Sequence, residues 1–291
     1  VEDADAKRQL FAGIEPRLHE DALLATNTSS IPLEVLGDGL RRPERLLGLH
    51  FFNPVARMEL VEVVRGQGSA SAAIDRAVAF VHGLGRLPLP VQSSPGFLVN
   101  RILMPYLLEA VELLQEGLPA RAIDRAAEAF GMPMGPVALA DSVGLDICLA
   151  VAEEIGPRLS IPTSTPELLR ERVHQGALGK KTGEGFYRYR HGKRVSRGHA
   201  RVRRSPPDLA ERMLFRLLNE SVACLREGIV DDADLLDAGV VFGTGFAPFR
   251  GGPMHFIAEG GQARMLSRLR DLEASHGSHF HPDRGWSALQ V

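Results

Sequence analysis

LLGLHFFNPVARMELVEVV, residues 46–64, is two short apolar runs on either side of a proline-containing bend, with His50 closing the first run and Glu62 inside the second. Apolar runs of this length bounded by turn residues read as two strands of a buried sheet. Taken alone, each titratable residue also reads as an ordinary polar side chain. His50 fits a structural histidine at a strand end, and Glu62 fits a carboxylate turned to solvent by strand alternation. Their order adds a second reading. The segment from Pro54 to Met58 can return the chain so that Glu62 approaches His50. A carboxylate there fixes the imidazole tautomer and stabilises its cation, as a general base requires.

Working outward, residues 1–19 carry apolar positions at helical spacing (Leu10, Phe11, Ile14, Leu18), and ALLATNTSS reads as a short buried strand ending in a polar turn. IPLEVLGDGL suggests a helix closed by Gly37 or Gly39, residues 71–84 another helix, and LPLPVQ a further strand. Alternating helices and short apolar strands argue an α/β layer with a largely parallel sheet. The period changes at SPGFLVNRILMPYLLEAVELLQEG, where Pro95 and Gly96 open a long helix that Gly117 closes, and no strand is expected again until GFYRYR. Residue 95 is therefore the expected domain boundary.

The helical part repeats itself. YLLEAVELLQEG (106–117) aligns with LLNESVACLREG (217–228), and FGMPMGP (130–136) with FGTGFAP (242–248), so that Glu109 falls on Glu220 and Gly117 on Gly228. Between the copies, Arg188 to Arg204 carries eight Lys or Arg and no acid, which reads as a solvated basic linker, since no aromatic beyond Tyr189 is interleaved for nucleic acid. The final segment, SHGSHFHPDRGW, reads as a polar terminal tail.

The whole chain has 291 residues, 44% of them hydrophobic, enough for a sizeable core and more than one domain. Its 34 basic and 36 acidic residues leave a net charge of -2, so no global field selects nucleic acid or a membrane surface. Cys148 and Cys224 are far apart in apolar helical surroundings, which fits buried thiols in a reducing, cytoplasmic compartment. No apolar run approaches the roughly 20 residues of a spanning helix, and no metal-ligand cluster is visible.

Two further places bear on chemistry. TNTSS, residues 26–30, sits at the carboxyl end of a strand, where open α/β sheets bind ligands. Its hydroxyls read equally as a helix N-cap by Ser29 or Ser30. Asn100 follows PGFLV early on the long helix, and an amide facing an apolar core must find a partner.

NTSS, HFFNP with LVEV close behind, PGFLVNR, PMGP and GKKTGEGFY, in this order and at these spacings, resemble the L-3-hydroxyacyl-CoA dehydrogenase family from residue 1 to about residue 260. The tandem helical unit further resembles the dehydrogenase portion of multifunctional fatty-acid oxidation proteins. This resemblance implies an incomplete Rossmann-type dinucleotide-binding domain (1–94), a first helical domain (95–190), the basic linker (191–207) and a second helical domain repeating the first (208–291). It also implies NAD as cofactor, a 3-hydroxyacyl-CoA substrate, an enoyl-CoA hydratase region in the same parent chain and a thiolase partner. In single-copy relatives the helical domain makes a dimer, so the second copy is expected in the partner's place.

Carried over position by position, the resemblance makes His50 the catalytic base and Glu62 its partner, with Ser29 and Asn100 holding the substrate's C3 oxygen. Glu2 and Lys7 match cofactor contacts, and Asn27, Asn53 and Lys181 match residues near the cofactor or the cleft. Phe242 stands where some multifunctional members have tyrosine, so a polar contact there is lost. The glycine-rich turn that seats a dinucleotide pyrophosphate has no match: GDGLRR, GLGRLP and GTGFAP each lack its third glycine. The expectation is a chain that starts inside the dinucleotide-binding domain. The alternative is a catalytically incompetent fragment whose duplicated helices serve packing and assembly.

Overall fold

A computed structural model describes residues 3–29, 31–159, 161, 163–195 and 206–289. It separates into two compact units, residues 1–100 with 224–244, and residues 101–223 with 245–291.

The first unit is built on a sheet of four strands in the order β1-β2-β3-β4: β1 Leu24–Thr26, β2 Leu46–Phe51, β3 Leu60–Arg65 and β4 Leu87–Gln92. β1 pairs parallel with β2, and β3 parallel with β4. β2 and β3 run antiparallel, because the eight residues between them only turn the chain back, whereas a parallel return needs a longer crossover. Helix α1 (Ala4–Ile14) opens with Asp3, whose side chain accepts the Ala6 amide at 2.9 Å, and buries Phe11 with Leu24, Leu36 and Leu46. Helix α2 (Leu33–Gly37) follows the β1 turn, and α3 (Ser71–Gly83) packs Ala73, Ile74, Ala77 and Val81 onto Leu47, Val61 and Val63.

Helix α10 (Ala233–Thr244), from the second helical copy, also belongs to this unit. It comes close because it presents glycine. A Cβ built on Gly239 would stand 2.6 Å from Leu89 and 2.8 Å from Leu98, and one on Gly243 would stand 2.6 Å from Val99.

The second unit contains most of helix α4 (Val99–Gln115), then α5 (Ala120–Phe130), α6 (Pro136–Val143), α7 (Leu145–Ile155), α8 (Glu167–His174) and a small hairpin of β5 (Tyr189–Arg190) and β6 (Lys193–Arg194). Most of α9 (Leu209–Arg226), α11 (Pro253–Gly260) and α12 (Gln262–His276) completes it. The PMGP and GKKTGEGFY motifs meet here around two buried aspartates. Asp141 accepts the amides of Phe186 and Tyr187 at 2.9 and 2.8 Å, and Asp124 accepts the Val137 amide at 2.9 Å and the Tyr187 hydroxyl at 2.6 Å. Burial pushes both carboxyls above their ordinary range against these hydrogen bonds.

The two helical copies meet through reciprocal charge pairs. Each repeated glutamate is preceded by an arginine eight residues earlier, Arg101 before Glu109 and Arg212 before Glu220. Arg101 Nε donates to Glu220 Oε1 and Arg212 Nε to Glu109 Oε1, both at 2.7 Å with all four side chains buried. This is the pattern of a two-fold interface, in which residue i meets j and j meets i, formed within one chain.

The C-terminal segment is part of this core, which corrects its reading as a polar tail. Phe280 and Trp286 are fully buried. Asn219 on α9 accepts the Asp283 amide and the Trp286 indole N–H, and donates to the His281 carbonyl. The histidines pair with carboxylates, His276 with Asp208, His279 with Glu109 and His281 with Glu273. Of the basic linker, residues 196–205 lie outside the described residues.

Candidate active site

The antiparallel register sets His50 directly opposite Glu62. Both side chains leave the sheet on one face, and His50 Nδ1 lies 2.7 Å from Glu62 Oε2. The other carboxylate oxygen, Oε1, accepts the backbone amides of Leu98 and Val99, each at 3.0 Å, where the chain enters α4. Both sources of hydrogen bonds to that carboxylate therefore face it as donors. Amides can only donate, and an acceptor-only carboxylate on Nδ1 places the imidazole proton there. In the neutral imidazole, Nε2 then carries the lone pair, and Ser29 Oγ, in the turn after β1, stands 3.1 Å from it.

Ser29 is thus not a helix cap. The N-cap of α2 is Pro32, and the turn is closed by the Ile31 amide donating to Thr28 Oγ1 at 3.0 Å; Ser30 lies outside the described residues. Asn27 ties the same turn to the sheet, its Oδ1 accepting the Phe51 amide at 3.0 Å. Asn53 is exposed beside the bend that begins with a cis Asn53–Pro54 bond. Asn100 is half-buried in the first turn of α4, next to the amide that Glu62 holds. Lys7 is half-buried on α1. Lys181 belongs to the helical unit, where its Nζ pairs with Asp146. Glu2 lies outside the described residues.

Sequence reasoning missed the walls around His50. Phe52 and Phe97 both present edge-on contacts to its ring, with centroids 4.6 and 5.5 Å away. Gly48, two residues earlier on β2, has no room for a side chain, since a Cβ there would stand 2.7 Å from Val64 Cβ. The available signal was the Pro95-Gly96 pair, which marks a turn beside an aromatic residue.

None of the three glycine pairs forms a strand-turn-helix cradle for a pyrophosphate. Gly37 and Gly39 end α2, Gly83 and Gly85 end α3, and Gly243 and Gly245 end α10. The described residues therefore fit the reacting end of a dinucleotide site and not its phosphate turn.

The site is thus an imidazole, a carboxylate and a hydroxyl in line at the strand ends of an α/β layer. Residues 1–94 match the family model described as the NAD binding domain of 3-hydroxyacyl-CoA dehydrogenase, and residues 96–189 match that of its C-terminal domain. The chain belongs to the 3-hydroxyacyl-CoA dehydrogenase family. It is 39% identical to (S)-3-hydroxybutyryl-CoA dehydrogenase from Ralstonia eutropha, with TM-score 0.61 over 65% of this chain and 68% of that one. Against 3-hydroxybutyryl-CoA dehydrogenase from Escherichia coli the TM-score is 0.87, at 25% identity, covering 99% of this chain and 79% of the other. The fatty acid oxidation complex subunit alpha of Shewanella putrefaciens is 36% identical over 97% of this chain, and the chain spans 41% of that relative's length.

Proposed function

We propose that the chain carries out NAD-dependent oxidation of an L-3-hydroxyacyl-CoA to the 3-ketoacyl-CoA, as the dehydrogenase segment of a fatty-acid β-oxidation multienzyme. The observation that carries this reading is the line Ser29 Oγ, His50 Nε2, His50 Nδ1, Glu62 Oε2, with separations of 3.1 and 2.7 Å across its two hydrogen bonds. Oxidising a secondary alcohol requires the hydroxyl proton and a hydride from C3 to leave together. The hydride acceptor would be supplied by a bound NAD.

The remaining work belongs to the chain. His50 Nε2 accepts the hydroxyl proton, and Glu62 stabilises the imidazolium that results. Ser29, with Asn100, orients the C3 oxygen so that the O–H faces Nε2. The amides of Leu98 and Val99 fix the carboxylate, so Glu62 cannot swing to meet the substrate itself. Lys7, Asn27, Asn53, Lys181 and Glu2 remain proposed contacts near the cofactor or cleft. The division into 1–94, 95–190, 191–207 and 208–291 is part of the same reading.

The likeness to a fatty acid oxidation complex alpha subunit agrees with a multifunctional parent protein; an enoyl-CoA hydratase region in that parent and a thiolase subunit as partner are further parts of the proposal. A cytoplasmic location agrees with two buried cysteines that are not joined in a disulfide. No helix among the described residues is long and apolar enough to cross a membrane.

The test is NADH appearance from L-3-hydroxybutyryl-CoA and NAD, comparing this chain, a version extended through a glycine-rich turn, and His50→Gln in both. Turnover by the extended form that the substitution abolishes supports the assignment. An extended form that folds and binds NAD yet stays silent refutes it and favours a packing role.

A further inference from the structure

The loop from Ser93 to Leu98, between β4 and α4, is fixed at both ends. At its start, Ser93 Oγ accepts the Leu33 amide at 3.1 Å and donates to Glu34 Oε2 at 2.9 Å, which ties it to the first turn of α2, just beyond Ser29. At its end, Glu62 holds the Leu98 and Val99 amides. Between these points the backbone passes through the left-handed region twice, at Gly96 with φ 76° and at Phe97 with φ 51°. Glycine adopts that region freely. A bulky aromatic does so only where its surroundings over-determine it.

What this backbone achieves is the delivery of one ring. Phe97 is fully buried and meets the His50 imidazole edge-on, with an interplanar angle of 61°. Phe52 meets the same imidazole at 62°. Among the described residues, the groups that hydrogen-bond or stack against His50 are thus the Glu62 carboxylate from β3, the Ser29 hydroxyl and these two rings. Hydrogen bonds at the two ring nitrogens leave an imidazole free to tilt about the line that joins them; two edge-on rings remove that freedom.

We propose that Phe97 is a positioning residue for the reaction: its ring, delivered by a left-handed turn braced at Ser93 and Glu62, holds the His50 imidazole so that Nε2 stays directed at Ser29 Oγ. The catalytic consequence rests on His50 as the base; the geometric claim does not.

Phe97→Gly suits the test, because glycine keeps the positive φ without strain and removes only the ring. With the chain labelled at histidine with 15N, long-range proton-nitrogen spectra recorded against pH read the His50 tautomer and its titration midpoint. Wild type is expected to show one Nδ1–H form. Phe97→Gly is expected to show exchange between tautomers and a moved midpoint, with kcat for 3-hydroxyacyl-CoA oxidation lowered about 10- to 100-fold and KM changed less than about threefold.

Should the glycine variant not fold, Phe97→Leu keeps apolar bulk and carries the same comparison, and Ser93→Ala cuts one brace with an intermediate effect expected. Folded variants whose His50 tautomer and midpoint equal wild type overturn the proposal and leave Phe97 as core packing. If the enzyme reading fails and no variant turns over substrate, the spectra still decide the positioning claim.

Discussion

Arg101 donates to Glu220 across α4 and α9 at 2.7 Å, and the residues matched to them by the internal repeat, Arg212 and Glu109, make the same bond in the opposite sense at the same distance. A buried pair of this kind is costly to break and cheap to replace, because removing one partner strands a charge while removing both does not. Arg101→Met alone is expected to lower unfolding free energy by about 3–5 kcal/mol, and Arg101→Met with Glu220→Leu to recover most of that loss. Urea titration of the two variants and Glu220→Leu closes the cycle. Additive losses would show that the pair does not act as a unit.

The same network predicts a response to acid. Burial pushes the Glu109 carboxyl up, but the His279 imidazole beside it and the Arg212 guanidinium bonded to it outweigh burial and hold the group below its ordinary range. A depressed carboxyl contributes stability that is present above its unfolded value and is lost as pH falls through the folded one. Glu109→Gln is therefore expected to be less stable than wild type at pH 7, and the gap between them to narrow as the solution is acidified below the usual carboxylate range. Thermal unfolding followed across pH checks it; a gap independent of pH refutes the linkage.

His50→Gln is expected to lower kcat for 3-hydroxyacyl-CoA oxidation by about 10²–10⁴-fold, the usual range for a general base. Glu62→Gln is expected to lower kcat in the same sense, since an uncharged amide no longer stabilises the imidazolium. Circular dichroism must show both variants folded for the comparison to count. Turnover unchanged in His50→Gln would remove the base from the mechanism.

Gly239→Ala and Gly243→Ala in α10 place a methyl group 2.6 Å from Leu89 and Val99 respectively. Overpacking of this degree costs about 1–3 kcal/mol, in spite of the better helix propensity of alanine. Denaturation midpoints decide the sign. A rise in stability would mean that α10 shifts outward without cost.

Trp286→Ala removes a fully buried indole and its bond to Asn219, and is expected to cost about 3–5 kcal/mol. A surface tail would show no change in melting temperature.

The legible parts of the sequence were those fixed by near neighbours. His50 and Glu62 are twelve residues apart on two strands joined by a short bend, so one antiparallel return sufficed to pair them. The turn after β1 likewise put Ser29 at the strand ends. The distant contacts were not legible. Asn219 reaches Trp286 across 67 residues, and no local pattern in a histidine-rich segment announces that its last aromatic fills a core. Arg101 and Arg212 were visible only after the repeat was extended beyond its most similar stretch. Phe97 was missed because its left-handed backbone comes from tertiary bracing, and propensity argues against that conformation for an aromatic residue.

The pairing of two helical copies within one polypeptide also changes what substitution can do. In a homodimer every substitution at the interface appears twice, facing its own image or its own partner. Here the copies drift separately. The position that holds Pro105 in α4 holds Arg216 in α9, a buried guanidinium whose donors go to Thr163 and the His279 carbonyl. A proline on one side and an arginine on the other is a solution closed to any symmetric pair, and tandem duplication opens it.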